Sequence, residues 1–364
     1  MKRNRMAAQN NYWNRRDFIK GIGLGIAGMR AFGPEAFGFS RSQTVPAASR
    51  TSRPAGGHLF RKLAEPARAS LVKGNNRREN IYKALKLIED EILGSIGKKK
   101  IMIKPNVVTP INPLGSLHVE AVRAILDFLT PHFKDRITIG EAATLDTIQG
   151  FKNYGYYALE KEYNVKLVDL NTTAFQYRYV VDKDNKPIPI RIVSAFLDPD
   201  LYLISAAPMK THNIVLVTLS LKNILLGAPL NDYKKNDKAL MHTNPNTTAT
   251  DVCHFNMFHI AQEIYPDLAV IDGFQAMEGK GPAWGTPFDA RVALASRDAL
   301  AADTLATKVM GFDAKKINYL TAMAEAGMGQ GDLDKIKVLG TPLEECLYHF
   351  KLDDRTAEIY KINV

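Results

Sequence analysis

The feature that most restricts this chain is a series of short apolar runs, each ending on polar residues. Ile101-Met102-Ile103 stops at Lys104-Pro105-Asn106, Ile137-Thr138-Ile139 at Gly140-Glu141, and the run from Val165 to Leu170 at Asp169-Leu170-Asn171. Leu201 to Ala206 leads to Met209-Lys210-Thr211-His212, Leu268 to Ile271 to Asp272-Gly273, and Val292 to Ala295 to Ser296-Arg297-Asp298. Apolar runs of this length, bounded by polar or turn residues, predict buried strands. Segments with helical spacing lie between them, such as Ile81, Leu85, Ile88 and Ile92 over 77–93, and Val119, Val122, Ile125 and Leu129 over 118–129. Further helices are predicted near 150–163, 251–264, 298–310, 315–327 and 342–350, with a polar loop at 230–249. The fold class is therefore α/β, a mostly parallel sheet with helices on both faces. Residues 176–193 add a β-hairpin insertion, Tyr177–Val181 against Ile188–Val193 with Asp184-Asn185 at the turn.

The N-terminal region carries a different signal. Residues 14–20, Asn-Arg-Arg-Asp-Phe-Ile-Lys, match the twin-arginine export pattern. The apolar stretch that follows, Gly21 to Met29, is glycine-bearing and too short to anchor. The expected organisation is a signal peptide and cleavage region over 1–47, a linker over 48–76 and a single α/β domain over 77–364. The twin-arginine translocase is the expected partner for export, and the periplasm or the exterior the expected location.

Charge narrows the functional classes. The formal net charge is +10, but residues 1–47 hold eight basic and two acidic side chains, leaving 40 basic and 36 acidic residues beyond them. That mild balance, with no lysine/arginine stripe carrying interleaved aromatics, argues against nucleic-acid binding. No run of 18 apolar residues occurs, so no stable membrane span is expected. Two cysteines, Cys253 and Cys346, are too few for an iron–sulfur cluster.

Ligands of open α/β sheets bind in the crevice beyond the carboxyl ends of the strands. The converging polar ends therefore predict one charged pocket that takes an anionic small molecule. Lys210 and His212 are the expected base and its orienting partner, with Lys222 a third candidate because it also follows an apolar stretch; a desolvated lysine is a base or a Schiff-base amine. Lys104, Asn106, Glu141 and Asn223 are expected to hold the ligand, with Gly279 and Gly281 allowing close backbone approach. His242, Asp272 and Glu278 are residue types suited to a divalent metal, although no tight ligand spacing fixes them. Asp298 is expected to cap the following helix. Asp303 falls among alanines in that helix, where a carboxylate has no evident local purpose.

In combination these pieces resemble the domain of unknown function 362 family. The matching residues are Lys104-Pro105-Asn106, Gly140-Glu141-Ala142, Lys210-Thr211-His212, Leu221-Lys222-Asn223 with Gly227, His242, Ile271-Asp272-Gly273, Met277 to Pro282, and Ser296-Arg297-Asp298 through Asp303. The resemblance covers about residues 98–312. Some members carry a ferredoxin-like segment with clustered cysteines; this chain has none, so cluster-borne electron transfer is not implied. The expected function is an exported protein whose charged pocket binds an anion, with a divalent metal as an option, for acid–base or transfer chemistry. The alternatives are a non-catalytic ligand- or cofactor-binding or maturation protein, and a redox accessory without its own cluster.

Overall fold

The computed structural model describes residues 66–232, 234–242 and 250–362. The twin-arginine motif and the cleavage region lie outside these residues. The expected linker over 48–76 is too long: Ala67–Lys73 is a strand, β1, with Ala69 and Leu71 fully buried. Its apolar alternation is brief and flanked by arginines and lysine, which is why composition alone reads it as linker.

After β1 come helices α1 (Arg77–Lys86) and α2 (Glu89–Ile96), strand β2 (Lys100–Pro105), helix α3 (Val119–Leu129) and strand β3 (Ile137–Glu141). The predicted helix over 77–93 is thus two helices, the first capped by the Asn76 side chain, which accepts from the Glu79 N–H. Helices α4 (Thr147–Asn153) and α5 (Leu159–Glu162) lead to β4 (Val165–Asp169). The predicted hairpin follows as β5 (Phe175–Val181) and β6 (Pro187–Val193), a separate two-stranded sheet with Val180 opposite Ile188. Asn185 has φ 59° at its turn, a left-handed conformation that asparagine tolerates.

Strand β7 (Leu201–His212) pairs with the short β8 (Leu216–Thr218), and helices α6 (Ser220–Leu225), α7 (Asp237–His242) and α8 (Thr250–Ala261) follow. Then come β9 (Leu268–Glu278), β10 (Thr286–Phe288), β11 (Val292–Ser296), helices α9 (Ala299–Val309) and α10 (Asn318–Glu325), β12 (Ile336–Gly340) and α11 (Asp354–Tyr360). The predicted helix over 342–350 is only a 3-10 turn at Leu343–Cys346, and α11 was not anticipated.

The main sheet has ten strands in the order β12-β1-β11-β9-β7-β2-β3-β4, with β10 beside β9 and β8 beside β7. Strands β9, β7, β2, β3 and β4 are mutually parallel, as are β1 and β12, while β11 runs antiparallel to both its neighbours. The fold is the mostly parallel α/β sheet that the apolar runs predict. Helices α1 to α3 bury Ile81, Leu85, Ile92, Val122, Ile125 and Leu129 on the face carrying Ile101, Ile103, Ile137 and Ile139. Each such side chain contributes about 1.5–3 kcal/mol when fully buried. Helices α6, α8, α9 and α10 form the second layer. The chain leaves β2 toward β3 and β4 on one side and returns to β7 on the other, so the order of strands reverses between β2 and β7. That reversal opens a crevice at their carboxyl ends.

Among the described residues no helix is long and apolar enough to cross a membrane. Cys253 and Cys346 are both buried free thiols.

Candidate functional site

A cavity of about 360 Å³ lies at this crevice, within the range of small-molecule sites. Its deepest wall is built where β2 and β3 end. Lys104 Nζ donates to Glu141 Oε1 at 2.6 Å, to Asn223 Oδ1 at 2.9 Å and to the Pro105 carbonyl at 3.0 Å. The Glu141 carboxylate also accepts the backbone N–H groups of Val107 at 2.5 Å and Ala142 at 2.8 Å. Asn223 Nδ2 donates to the Lys104 carbonyl at 3.0 Å and the Ser205 hydroxyl at 3.1 Å, tying α6 to both central strands. Gly227 is required here, because a Cβ on it would lie 2.4 Å from Lys104 Cε.

Asn106 donates from Nδ2 to Asn223 Oδ1 at 3.2 Å, while its own Oδ1, buried on the cavity wall, has no partner among the described residues. A buried acceptor left unpaired costs about 1–3 kcal/mol, which sets Asn106 Oδ1 apart from the paired polar atoms around it.

Helix α6 brings Lys222 to the cavity. No hydrogen bond or ion pair engages its Nζ among the described residues, and burial lowers the amine to about 8 from 10.5, with Lys104 adding to the depression. Helix α7 brings Lys238 and His242. Arg191 of the hairpin fixes the start of that helix through Asp237 at 2.6 Å and Asp232 at 2.5 Å. Lys238 Nζ donates only to carbonyls, those of Pro229 at 2.6 Å, Gly227 at 2.9 Å and Leu226 at 3.4 Å, and burial lowers it to about 7. Sequence reading missed Lys238, since α7 is six residues inside a polar stretch; the one signal was the Lys238–His242 spacing of one helical turn.

His212, at the end of β7, stacks on His242 with ring centroids 6.1 Å apart. His212 Nδ1 accepts the Ile214 N–H at 3.1 Å, which leaves its proton on Nε2. His242 Nδ1 lies 2.7 Å from the Lys238 carbonyl, which can only accept, so there the proton sits on Nδ1. Burial, then the Lys222 charge, lowers both rings, His242 to about 4, so both are neutral at physiological pH. The turn between β7 and β8 is strained: Leu216, opposite His212, has φ 66°, uncommon for a side chain of this size.

The structure separates the other expected site residues. Lys210 is fully buried, donates from Nζ to the Gly115 carbonyl at 2.5 Å and does not line the cavity; it follows a register irregularity between Pro208 and Lys210. Asp272 pairs with Arg77 at 3.0 Å and accepts the Phe274 N–H at 3.0 Å. Glu278 accepts the Lys351 N–H at 2.8 Å. Asp272 and Glu278 both lie on one strand, β9, Asp272 opposite Ala293 of β11 and Glu278 opposite Thr286 of β10, with a register irregularity against β7 between them. The expected metal set of His242, Asp272 and Glu278 is therefore not assembled, and among the described residues no group of three His, Cys, Asp or Glu side chains is placed to hold a metal ion. Gly279 and Gly281 also serve packing: Thr211 Oγ1 donates to the Gly279 carbonyl at 3.0 Å, and a Cβ on Gly281 would lie 1.9 Å from the Thr211 carbonyl oxygen. Asp298 caps α9 through the Ala301 N–H at 3.0 Å, as expected.

Residues 101–308 match the family model described as Domain of unknown function (DUF362). The chain belongs to this family. DUF362 membership accounts for the fold from β2 into α9, and the motif residues Lys104, Asn106, Glu141, Lys222, Asn223, Gly227 and His242 all line the cavity. The thylakoid-associated protein sll1697 of Synechocystis sp. is 25% identical over 272 residues, covering 72% of this chain and 81% of that protein. Among solved structures, the lactate racemase apoprotein of Thermoanaerobacterium thermosaccharolyticum aligns with a TM-score of 0.38 and 12% identity over 80% of this chain and 85% of that one. A Thermotoga maritima protein aligns with a TM-score of 0.36 and 12% identity, over 57% of this chain and 52% of that one.

Proposed function

We propose that this DUF362 protein binds a small anionic molecule, a carboxylate or a phosphate, in the cavity at the β2/β7 crevice and uses it for acid–base or transfer chemistry. The charge balance of the wall carries this reading. Among the described residues three lysines and a single carboxylate line the cavity, and Glu141 is already matched to Lys104. Lys222 and Lys238 are left without a carboxylate partner among the described residues. An unpaired buried ammonium is costly, and an anion that pairs with it recovers part of that cost. The imidazoles supply the second half of the reading: His212 and His242 stack on one wall of the cavity as neutral rings, and His212 carries its proton on Nε2, so the cavity holds imidazole groups beside the lysines.

Calorimetric titration with malonate and with phosphate tests the pocket. Binding to the wild-type protein, weakened about tenfold or more by Lys222→Met, is expected. No binding of either anion to the wild type overturns the reading.

Export by the twin-arginine route is part of the same proposal, supported by Arg15, Arg16, Phe18 and the short apolar stretch after them. Fractionation of cells expressing the full chain should find it outside the cytoplasm, and Arg15→Lys with Arg16→Lys should retain it inside. Equal export of both forms would remove this part.

A further inference from the structure

Three lysines among the described residues line the cavity, and their surroundings differ. Lys104 and Lys238 each spend their Nζ protons on three acceptors, whereas Lys222 spends none among the described residues. Lys222 is also held firmly at its backbone, because Asp303 caps the first turn of α6 and Asn223 ties the next residue to β2. A lysine that is buried, unpartnered and positioned on an ordered helix has the attributes of an amine nucleophile. The neighbouring Cys253 thiol does not compete for that role, since burial pushes it up to about 12 and keeps it protonated.

We propose that Lys222 forms a Schiff base with the carbonyl carbon of a small α-oxo acid whose carboxylate lies in the field of the Lys238 charge without taking one of its three donated protons. This inference rests on the anion-binding reading of the same cavity and goes beyond it by naming the bond and the substrate class. The Lys222 ammonium first gives up one proton, and the free amine then attacks the carbonyl carbon. A C–N bond forms as the C=O π pair moves to oxygen, and oxygen takes a proton to become the carbinolamine hydroxyl. That hydroxyl is the donor the Asn106 Oδ1 acceptor lacks. Protonated again, it leaves as water while the nitrogen lone pair closes the C=N bond. Ammonium and ketone thus become iminium and water, with charge unchanged and no oxidant or reductant needed. The neutral His212 and His242 imidazoles line the same cavity, where the proton passes from nitrogen to oxygen. The lowering of Lys222 from 10.5 to about 8 raises its free-amine fraction at neutral pH by roughly 10²-fold over a surface lysine.

The test is reductive trapping with pyruvate and sodium cyanoborohydride on the folded wild-type chain, read by intact mass and peptide mapping. One reduced carboxyethyl adduct per chain is expected, located on Lys222, about a hundredfold above the mean of surface lysines and absent from Lys222→Arg. The wild-type peptide map decides the site even where Lys222→Arg does not fold. Adducts spread over surface lysines, or none, overturn the proposal. Thermal stabilisation by malonate, which has no carbonyl able to form the imine, separates the two readings. Malonate stabilisation without a Lys222 adduct removes the Schiff base and leaves the anion site standing. Absence of both removes both.

Discussion

The Asp303 carboxylate accepts the Ser220 N–H at 2.9 Å through one oxygen and the Leu221 N–H at 2.9 Å through the other, across 83 residues of sequence. Helix α6 has no side-chain cap of its own, because Leu219 stands at its N-cap position. The first N–H groups of a helix lack intrahelical partners, so a carboxylate from α9 completes this one. Where Lys222 and Asn223 sit in the cavity is therefore decided by a residue that does not line it.

Replacing Asp303 with Asn keeps the shape but turns an N–H₂ toward one of the two backbone donors. A loss of about 1–3 kcal/mol in urea unfolding is expected, the cost of one buried unpaired donor. Malonate affinity should fall in the variant even below its unfolding range, because α6 carries Lys222. Unchanged stability would show that α6 is held by packing alone.

Glu141→Gln leaves Lys104 buried with no anion beside it. Breaking a buried pair from one side costs about 3–5 kcal/mol, whereas removing both charges costs far less. The double variant Glu141→Gln with Lys104→Met should therefore be more stable than Glu141→Gln alone in equilibrium unfolding. Additive losses would mean that the two side chains are not energetically coupled.

The sequence made part of this site legible, for a physical reason. Lys104, Asn106 and Glu141 end apolar strands at the centre of a parallel sheet, and the carboxyl ends of such strands converge. Lys222 and Asn223 announced themselves as polar residues in an apolar context. Asp272 and Glu278 misled because Asp272-Gly273-Phe274-Gln275 has the composition of a loop; pairing of Asp272 and Gly273 with β11, and of Ala276 to Glu278 with β10, carries the strand through it. Lys210 lay too close to the Pro208 irregularity for its direction to be read. Lys238 left only its one-turn spacing to His242 as a signal and the purpose of Asp303 left none, since each depends on a partner more than 40 residues away: Arg191 lies 46 residues from the Asp237 it anchors, and Asp303 lies 83 from Ser220.

Gly227→Ala tests how tightly the wall is packed. The added Cβ would meet the Asn223 carbonyl oxygen at 2.2 Å and Lys104 Cε at 2.4 Å, and the first of these is backbone that cannot swing aside. Overpacking of this kind costs about 1–3 kcal/mol, and the displaced Lys104 should weaken malonate binding as well. Wild-type stability in the alanine variant would mean that α6 shifts freely, contrary to its Asp303 and Asn223 anchors.

The pH dependence separates the empty and occupied states by sign. Burial lowers Lys222 to about 8 and Lys238 to about 7, both from 10.5. Between those values and the unfolded pKa the unfolded chain binds more protons, so the contribution of these lysines to the ligand-free fold grows as pH rises from about 7 to about 10. For Lys222 alone the full change is about 3 kcal/mol. Anion binding runs the other way, because it needs the charged amines, and its stabilising increment should shrink as pH rises through about 8. Thermal unfolding with and without malonate across this range checks both slopes. Lys222→Met should make both slopes shallower while leaving the part that Lys238 contributes; a variant that reproduces the wild-type slopes would place the shifted amine elsewhere than in the cavity.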